Sequence, residues 1–296
     1  MHDPHEWLPR HSIPMMTRRH SLSLLAASIL PFRDAMAASE AGRKLEFEIG
    51  QGFGDARAVD IKAVLLSAAD SLWSHCPDTR WETPGFFIYH SKDDPITDYD
   101  HRADGRIAIG LTPQGNLWSQ FAYQFAHEFC HALAGHSNNW KDKWIRGRKA
   151  NHWLEESICE TASLFTIRAM ANSWLTKPPY RNWKGYSKSL AKYASEMLDD
   201  PARKLPEGKS FIDWLRENEP AMREHSTLRE KNNIVAAHLL PLFEANPSGW
   251  EAVTFHNLGK RDPDKTLAEH FTDWQAASPE GQRKFIREMA AVFGVK

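Results

Sequence analysis

Two histidines and a glutamate stand close together in the pentapeptide His-Glu-Phe-Cys-His, residues 127–131. On an α-helix, His127, Glu128 and His131 lie at angles of about 0°, 100° and 40° around the axis, so they share one face. Two imidazoles bind a divalent metal, and an adjacent carboxylate can accept a proton from a water molecule. The pentapeptide therefore predicts a zinc site with hydrolytic chemistry.

The helix that must carry these residues is predicted from Leu117 to Ala134. The segment is rich in Ala, Phe, Leu and Gln, lacks internal Pro and Gly, and is followed by Gly135, which suits a left-handed C-terminal cap. Its apolar residues lie opposite the histidines: Phe125, Phe129, Ala132 and Leu133. We expect one face to join the core and the other to carry the site.

A second predicted helix, residues 151–174, carries Glu156 and Glu160 one turn apart. Apolar residues flank both carboxylates, and burying such a pair is costly unless a positive charge neutralises it. A solvated acidic face is the alternative for the two glutamates taken alone. A divalent cation held by His127 and His131 would supply the charge, and this favours burial.

Catalytic zinc commonly takes three protein ligands and keeps one position for water, and two His with one Glu is an established set. We assign His127, His131 and Glu156 as the zinc ligands. Glu128 is expected to act as general base on the water and then to carry the proton to the leaving amine. Glu160 is expected to accept the other ring N–H of a ligand histidine.

This pair of helices resembles the gluzincin metallopeptidases, the group that includes thermolysin and the zinc aminopeptidases. The resemblance covers roughly residues 105–170 and rests on HEFCH and on Trp-Leu-x-Glu with a carboxylate four residues later. It implies a zincin-like fold and zinc-dependent peptide-bond hydrolysis with the roles given above. The chain departs from the group in its longer spacer between the two motifs and in Glu155, where aminopeptidases usually carry Asn. His136 does not fit the metzincin spacing and is only a fallback ligand.

Strands are predicted before the active-site helix at 44–49, 86–90 and 106–112, with a helix at 56–74 and an Asp-rich loop between the last two strands. The fold class is therefore α+β, with a small mixed sheet. In the resembling family the last strand is an exposed edge that binds substrate, and Gly110 would allow close approach. A plain sheet strand is the alternative.

After residue 178 the pattern becomes helical, with segments at 185–198, 209–217, 229–244, 248–258, 265–275 and 279–293. We expect a catalytic subdomain at 40–178 and a helical C-terminal subdomain at 179–296. A donor to the developing oxyanion could come from Tyr180, Tyr186, Tyr193, His225 or His238, and an ordinary packing or surface role is the alternative that we favour for each.

The composition agrees with a globular enzyme: 296 residues, 42% hydrophobic and 25% charged, with a formal net charge of −1. This balance gives no support for a nucleic-acid partner or for an anionic membrane surface. Peptide or protein substrates are the expected partners.

The N-terminus contains a predicted export signal. Residues 15–37 hold an Arg pair, a short apolar run and small residues that resemble a twin-arginine signal, and we expect residues 1–14 to be either a non-native or an upstream leader. The apolar run is too short for a permanent membrane anchor. We expect a periplasmic or secreted protein, with a disordered cytoplasmic leader as the alternative.

The three cysteines cannot all be paired. Cys130 and Cys159 each follow a proposed ligand by three residues, so a bridge between them is conceivable if the protein is exported, and buried thiols are the alternative that we favour.

Three functions fit these observations. The favoured one is a zinc metallopeptidase that acts outside the cytoplasm. The second is a catalytically inactive protein that keeps the fold and the zinc for structure or partner binding. The third is a cytosolic metal-dependent regulator that cleaves one protein partner.

Overall fold

A computed structural model describes residues 45–79, 85–98, 102–135, 149, 151–260 and 262–295. The expected leader, the export signal and the fallback ligand His136 lie outside the described residues. The architecture is α+β with a small mixed sheet, as expected from the sequence.

The sheet has four strands: β1 (Phe47–Ile49), β2 (Phe86–His90), β3 (Ile96–Asp98) and β4 (Ile107–Leu111). Their order is β1-β2-β4-β3. The first three in that order run parallel, and β3 runs antiparallel to β4. The parallel pair β1–β2 is connected by helix α1 (Ala58–Trp73), because a parallel pair requires a crossover.

The expectation that the last strand before the active-site helix is an exposed edge is wrong. β4 is buried along its whole length because β3, which sequence reasoning assigned to a polar loop, pairs with it. The presence of glycine at position 110 is also explained differently, because a Cβ there would lie 2.9 Å from the Tyr89 hydroxyl and 3.1 Å from Ile96 Cγ2. Side-chain packing therefore requires the glycine. Within the described sheet, the edge next to the active-site helix is β3.

The two motif helices form as expected. Helix α2 spans Trp118–Gly135, and α3 spans His152–Ser173. α2 packs against α1, α3 and the strands β3 and β4. The histidine-bearing face of α2 is consequently buried together with the apolar face, whereas we expected only the apolar face to join the core.

The C-terminal half is helical, as predicted. Its α-helices are α4 (Ser187–Asp199), α5 (Phe211–Glu224), α6 (Arg229–Ala245), α7 (Gly249–Val253), α8 (Leu267–Ala277) and α9 (Glu280–Val292). Short 3-10 helices lie at Arg181–Tyr186 and Pro201–Arg203. α5 extends past the predicted end and through Pro220, and α7 is shorter than predicted.

Lys44–Lys296 form one compact unit. Helix α3 contacts α1 and α2 as well as α4 and α6, so it packs against elements of both halves. The subdomain boundary near residue 179 stays a prediction.

Two further expectations concern the cysteines and the membrane. Cys76, Cys130 and Cys159 are all described and buried, and none of them forms a disulfide. Among the described residues, no helix combines the length and the apolar character that a membrane span requires.

Candidate metal site

Helices α2 and α3 bring the three predicted ligands together. His127 Nε2 lies 3.5 Å from Glu156 Oε2, and His131 Nε2 lies 3.6 Å from Glu156 Oε1. The two histidines are one helical turn apart, with ring centroids separated by 5.1 Å. Each of the two ring nitrogens on α2 therefore lies near a different oxygen of the same carboxylate on α3, although 16 residues separate the two helices in the chain.

These distances fit a bound metal better than direct hydrogen bonds. Hydrogen bonds between nitrogen and oxygen cluster near 2.9 Å, and contacts near 3.6 Å do not qualify. Two ligands bound tetrahedrally to one zinc, each at roughly 2.0–2.1 Å, are about 3.3 Å apart. The donor set and its spacing thus fit the zinc ion that the sequence predicts.

Cys159 is a competing donor. Its sulfur lies within 4.8 Å of donor atoms of His127 and His131. A thiol must lose its proton to bind zinc. Burial, together with the neighbouring Cys130, raises the pKa of Cys159 well above its usual value. Burial alone would raise the pKa of Glu156, but His131 and His127 outweigh it and hold this pKa well below its usual value, so the Glu156 carboxylate has no such proton to lose.

Glu128 is anchored by a strand that sequence reasoning missed. The Thr97 hydroxyl of β3 lies 2.7 Å from the Glu128 carbonyl oxygen and 2.9 Å from Glu128 Oε2. Both residues are buried, at 4% exposure each. The carboxylate of the predicted general base therefore has a polar neighbour that fixes its orientation. β3 could not be predicted because Ile-Thr-Asp is too short to show strand periodicity.

Glu155 contacts His131, a predicted ligand that Glu156 also approaches. Its Oε1 lies 2.9 Å from His131 Nδ1, which is a hydrogen-bonding distance. Lys149 Nζ and Asn257 Nδ2 each donate to Glu155 Oε2 at 2.9 Å. Burial alone would raise the pKa of Glu155, but Lys149 and His131 outweigh it and hold this pKa well below its usual value. A carboxylate in this position orients the histidine.

The role of Glu155 was not predicted from the sequence, although the residue stood out as a departure from the aminopeptidase pattern. A signal was present, since Glu155 directly precedes the predicted ligand in a buried helix. Lys149 and Asn257 had no such signal, because each comes from a loop.

Glu160 lies beside His127, the other predicted histidine ligand. Its Oε2 is 3.6 Å from His127 Nδ1, on the opposite side of the ring from Glu156. Its Oε1 accepts hydrogen bonds from the Tyr123 hydroxyl and from Arg203 Nη2. Burial alone would raise the pKa of Glu160, but Arg203 and His127 outweigh it and lower this pKa. The supporting role predicted for Glu160 stays a prediction, and the contact with His127 is longer than a hydrogen bond.

The charges around the centre favour a cation. Lys149 neutralises Glu155, and Arg203 neutralises Glu160. The described ion pairs give Glu128 and Glu156 no Lys or Arg partner.

The carboxylates around His127 change the pKa of its imidazole. Burial alone would lower the pKa of His127, but Glu156 and Glu160 outweigh it and raise the pKa to about 9. In the metal-free protein, protons on the histidines thus balance the carboxylates, and a divalent ion would replace them.

The five residues considered as oxyanion donors have contacts elsewhere. Tyr180 OH contacts the Val59 carbonyl, Tyr186 OH contacts Ser119, Tyr193 packs against the Tyr123 ring, His238 stacks on Phe211, and His225 lies beside Glu224. These contacts give none of the five a place at the ligand set. A histidine that was not predicted from the sequence, His152, does reach this set, because its Nε2 lies 3.5 Å from Glu156 Oε1.

Comparison of the chain with known protein families, with curated proteins and with solved structures found no match.

Proposed function

We propose that this protein is a zinc-dependent peptidase with a gluzincin-like ligand set and a zincin-like fold. The observation that carries the proposal is the convergence of His127 Nε2 and His131 Nε2 on the two oxygens of Glu156, at 3.5 and 3.6 Å. Glu128 follows the first of these histidines on the same helix, which supports a hydrolytic rather than a purely structural role.

Zinc bound to these three residues would polarise a substrate carbonyl and make a water molecule more acidic. Glu128 Oε2 would accept the proton of the attacking water and then deliver it to the leaving nitrogen. The Thr97 hydroxyl, 2.9 Å from that oxygen, would hold the carboxylate in the orientation for both transfers. Glu155 and Glu160 would keep the two ligand imidazoles oriented.

Peptide substrates are supported by the edge of the sheet. β3 pairs with β4 on one side only within the described sheet, and Ile96 on β3 is 49% exposed. An extended peptide can pair with such an edge through main-chain hydrogen bonds, with little regard for its side chains. The sequence signal at residues 15–37 leads us to propose that these substrates lie outside the cytoplasm.

The test compares wild-type protein with Glu128→Gln. Zinc content is measured by mass spectrometry, and hydrolysis is measured on a mixed library of quenched fluorescent peptides. We expect one zinc per chain in both proteins and a loss of hydrolysis of about 10²-fold or more in the variant. Glu196→Gln, a change at a surface glutamate that is 57% exposed, is the matched control. Full activity in Glu128→Gln would contradict the assigned mechanism.

A second candidate is a catalytically inactive zinc-binding protein, because His152 offers a further nitrogen at the same centre. Four protein ligands are typical of structural zinc sites. Stoichiometric zinc, destabilisation by a chelator and no turnover of the library would favour this candidate.

A further inference from the structure

His152 is the first residue of α3 and stands one helical turn before Glu156. Its Nε2 is 3.5 Å from Glu156 Oε1, the same oxygen that lies 3.6 Å from His131 Nε2. Donor atoms of His131, His152 and Glu156 all lie within 4.8 Å of one another. The separation of His152 from Glu156 therefore matches the separations found for His127 and His131.

The ring of His152 is fixed in an orientation that leaves Nε2 directed at Glu156. Its Nδ1 lies 3.1 Å from the Ser226 hydroxyl, which is a hydrogen-bonding distance. When Nδ1 carries the proton and donates it to Ser226, Nε2 holds the lone pair that binds a metal. A hydrogen bond to the distal ring nitrogen is the usual way in which a ligand histidine is oriented.

The backbone just before His152 is held in place by side-chain contacts of Asn151. Asn151 has φ of 52°, in the left-handed region, and no other described non-glycine residue has a positive φ. Its side chain is buried, donates to the Lys265 carbonyl oxygen and accepts from Arg223 Nη1. Asn is one of the residues that adopt this conformation most readily. The start of α3 is thereby fixed with His152 turned towards the ligand set.

We propose that His152 is a fourth protein ligand of the metal site, which gives a His127–His131–His152–Glu156 set. The inference rests on the proposed function only in requiring that the other three residues bind a metal. Four protein ligands would close the site and occupy the position that water takes in a three-ligand centre.

His152 is the ligand best placed to leave that set. Its side chain is 31% exposed, whereas those of His127, His131 and Glu156 are at most 14% exposed. It also lies at the end of a helix, and the other three lie within helices. Hydrolysis would therefore require substrate or water to displace His152, and the metal in the resting protein would be protected from solvent.

The test uses zinc and Co²⁺ with the full chain. Zinc affinity is measured by competition with a chelating dye for wild type, His152→Ala and the control His225→Ala, which removes a histidine that is 67% exposed. Thermal unfolding of the metal-free proteins checks that each variant folds. We expect His152→Ala to bind zinc about ten-fold or more weakly, with His225→Ala unchanged.

The coordination number is read from the visible bands of the Co²⁺ proteins during titration with azide, which adds to an open position. We expect no response from wild type and a clear response from His152→Ala, because the change opens the site. His152→Gln serves as a second variant and should behave like His152→Ala.

Two results would overturn the inference. Equal zinc affinity in wild type and His152→Ala, together with azide binding to wild type, would leave a three-ligand site and would not affect the proposed function. Absence of zinc binding in folded wild type would remove the metal site altogether, and with it the proposed function.

Discussion

Replacing Arg203 with Met is expected to destabilise the protein strongly, although Arg203 lies in a short 3-10 helix far along the chain from either motif. The Arg203 and Glu160 side chains are only 2% and 6% exposed and form an ion pair, and Arg203 Nη2 also donates to the Tyr123 hydroxyl. Removing one partner of such a pair leaves a buried charge without compensation. This typically costs about 3–5 kcal/mol of unfolding free energy.

For a compact unit of this size, each kcal/mol lowers the melting temperature by roughly 2–4 °C. Arg203→Met should therefore lower the melting temperature by roughly 6–20 °C. Urea unfolding of the metal-free protein, followed by circular dichroism, measures the free energy directly. A chelator must be present, because bound metal would add its own stabilisation through His127, which contacts Glu160.

A double substitution separates the charge effect from lost packing. Arg203→Met with Glu160→Gln removes both charges, so the double variant should be more stable than Arg203→Met by about 2 kcal/mol. The control is Arg216→Met, which breaks an exposed pair with Asp213 whose side chains are 73% and 58% exposed. That change should cost less than about 1 kcal/mol.

The contrary result is that Arg203→Met loses no more unfolding free energy than Arg216→Met, and that the double variant is no more stable than Arg203→Met. In that case, the Arg203–Glu160 contact would not carry the charge balance assigned to it.

Three further predictions concern the site and its surroundings. Thr97→Val should reduce peptide hydrolysis about ten-fold or more without loss of zinc, because it removes a hydrogen bond to the Glu128 carboxylate. Glu155→Gln should weaken zinc binding about 10- to 100-fold in dye competition, because it removes the carboxylate beside His131 Nδ1. Burial lowers the pKa of His256 to about 4, so the folded state resists its protonation. Stability should therefore fall as pH decreases from about 6.5, by about 2 kcal/mol between pH 7 and pH 5 for this residue, and His256→Phe should remove that part in urea unfolding.

Each of these has a matched control and a contrary outcome. The control for Thr97→Val is Thr112→Val, which also removes a Thr hydroxyl that bonds to a side chain of α2. Thr112→Val should leave hydrolysis unchanged. An equal loss of hydrolysis in both Thr variants would contradict the role given to Thr97. For Glu155, the contrary result is zinc affinity equal to that of Glu196→Gln. For His256, the contrary result is that the unfolding free energy of His256→Phe depends on pH as strongly as that of wild type. The surface control is His225→Phe.

Most regular elements could be predicted from local pattern. The apolar pattern of both segments, with Gly135 after the first, predicted α2 and α3 to within one residue at each end. β2 was predicted with its observed bounds. β3 could not be predicted, because three residues among aspartates have no period of their own and form a strand only through pairing with β4.

The sequence by itself determined the chemistry available at the site. His127, Glu128 and His131 share a helical face for a purely local reason, since the period of the helix fixes their relative angles. Glu156 was also predicted from its local surroundings, because a carboxylate among the apolar residues of a helix needs a positive partner. These residues are close together in the structure, and their zinc-binding role stays a prediction.

Only the tertiary structure decided which group supports which. The angle and register at which α2 packs against α3 bring Glu155 within hydrogen-bonding distance of His131 and place Glu160 beside His127. Thr97 contacts Glu128 from a strand edge, Arg203 contacts Glu160 from a 3-10 helix, and His152 contacts Glu156 from the start of a helix. Contacts of this kind depend on the packing of elements that are distant in the chain, and a period that repeats every few residues contains no information about them.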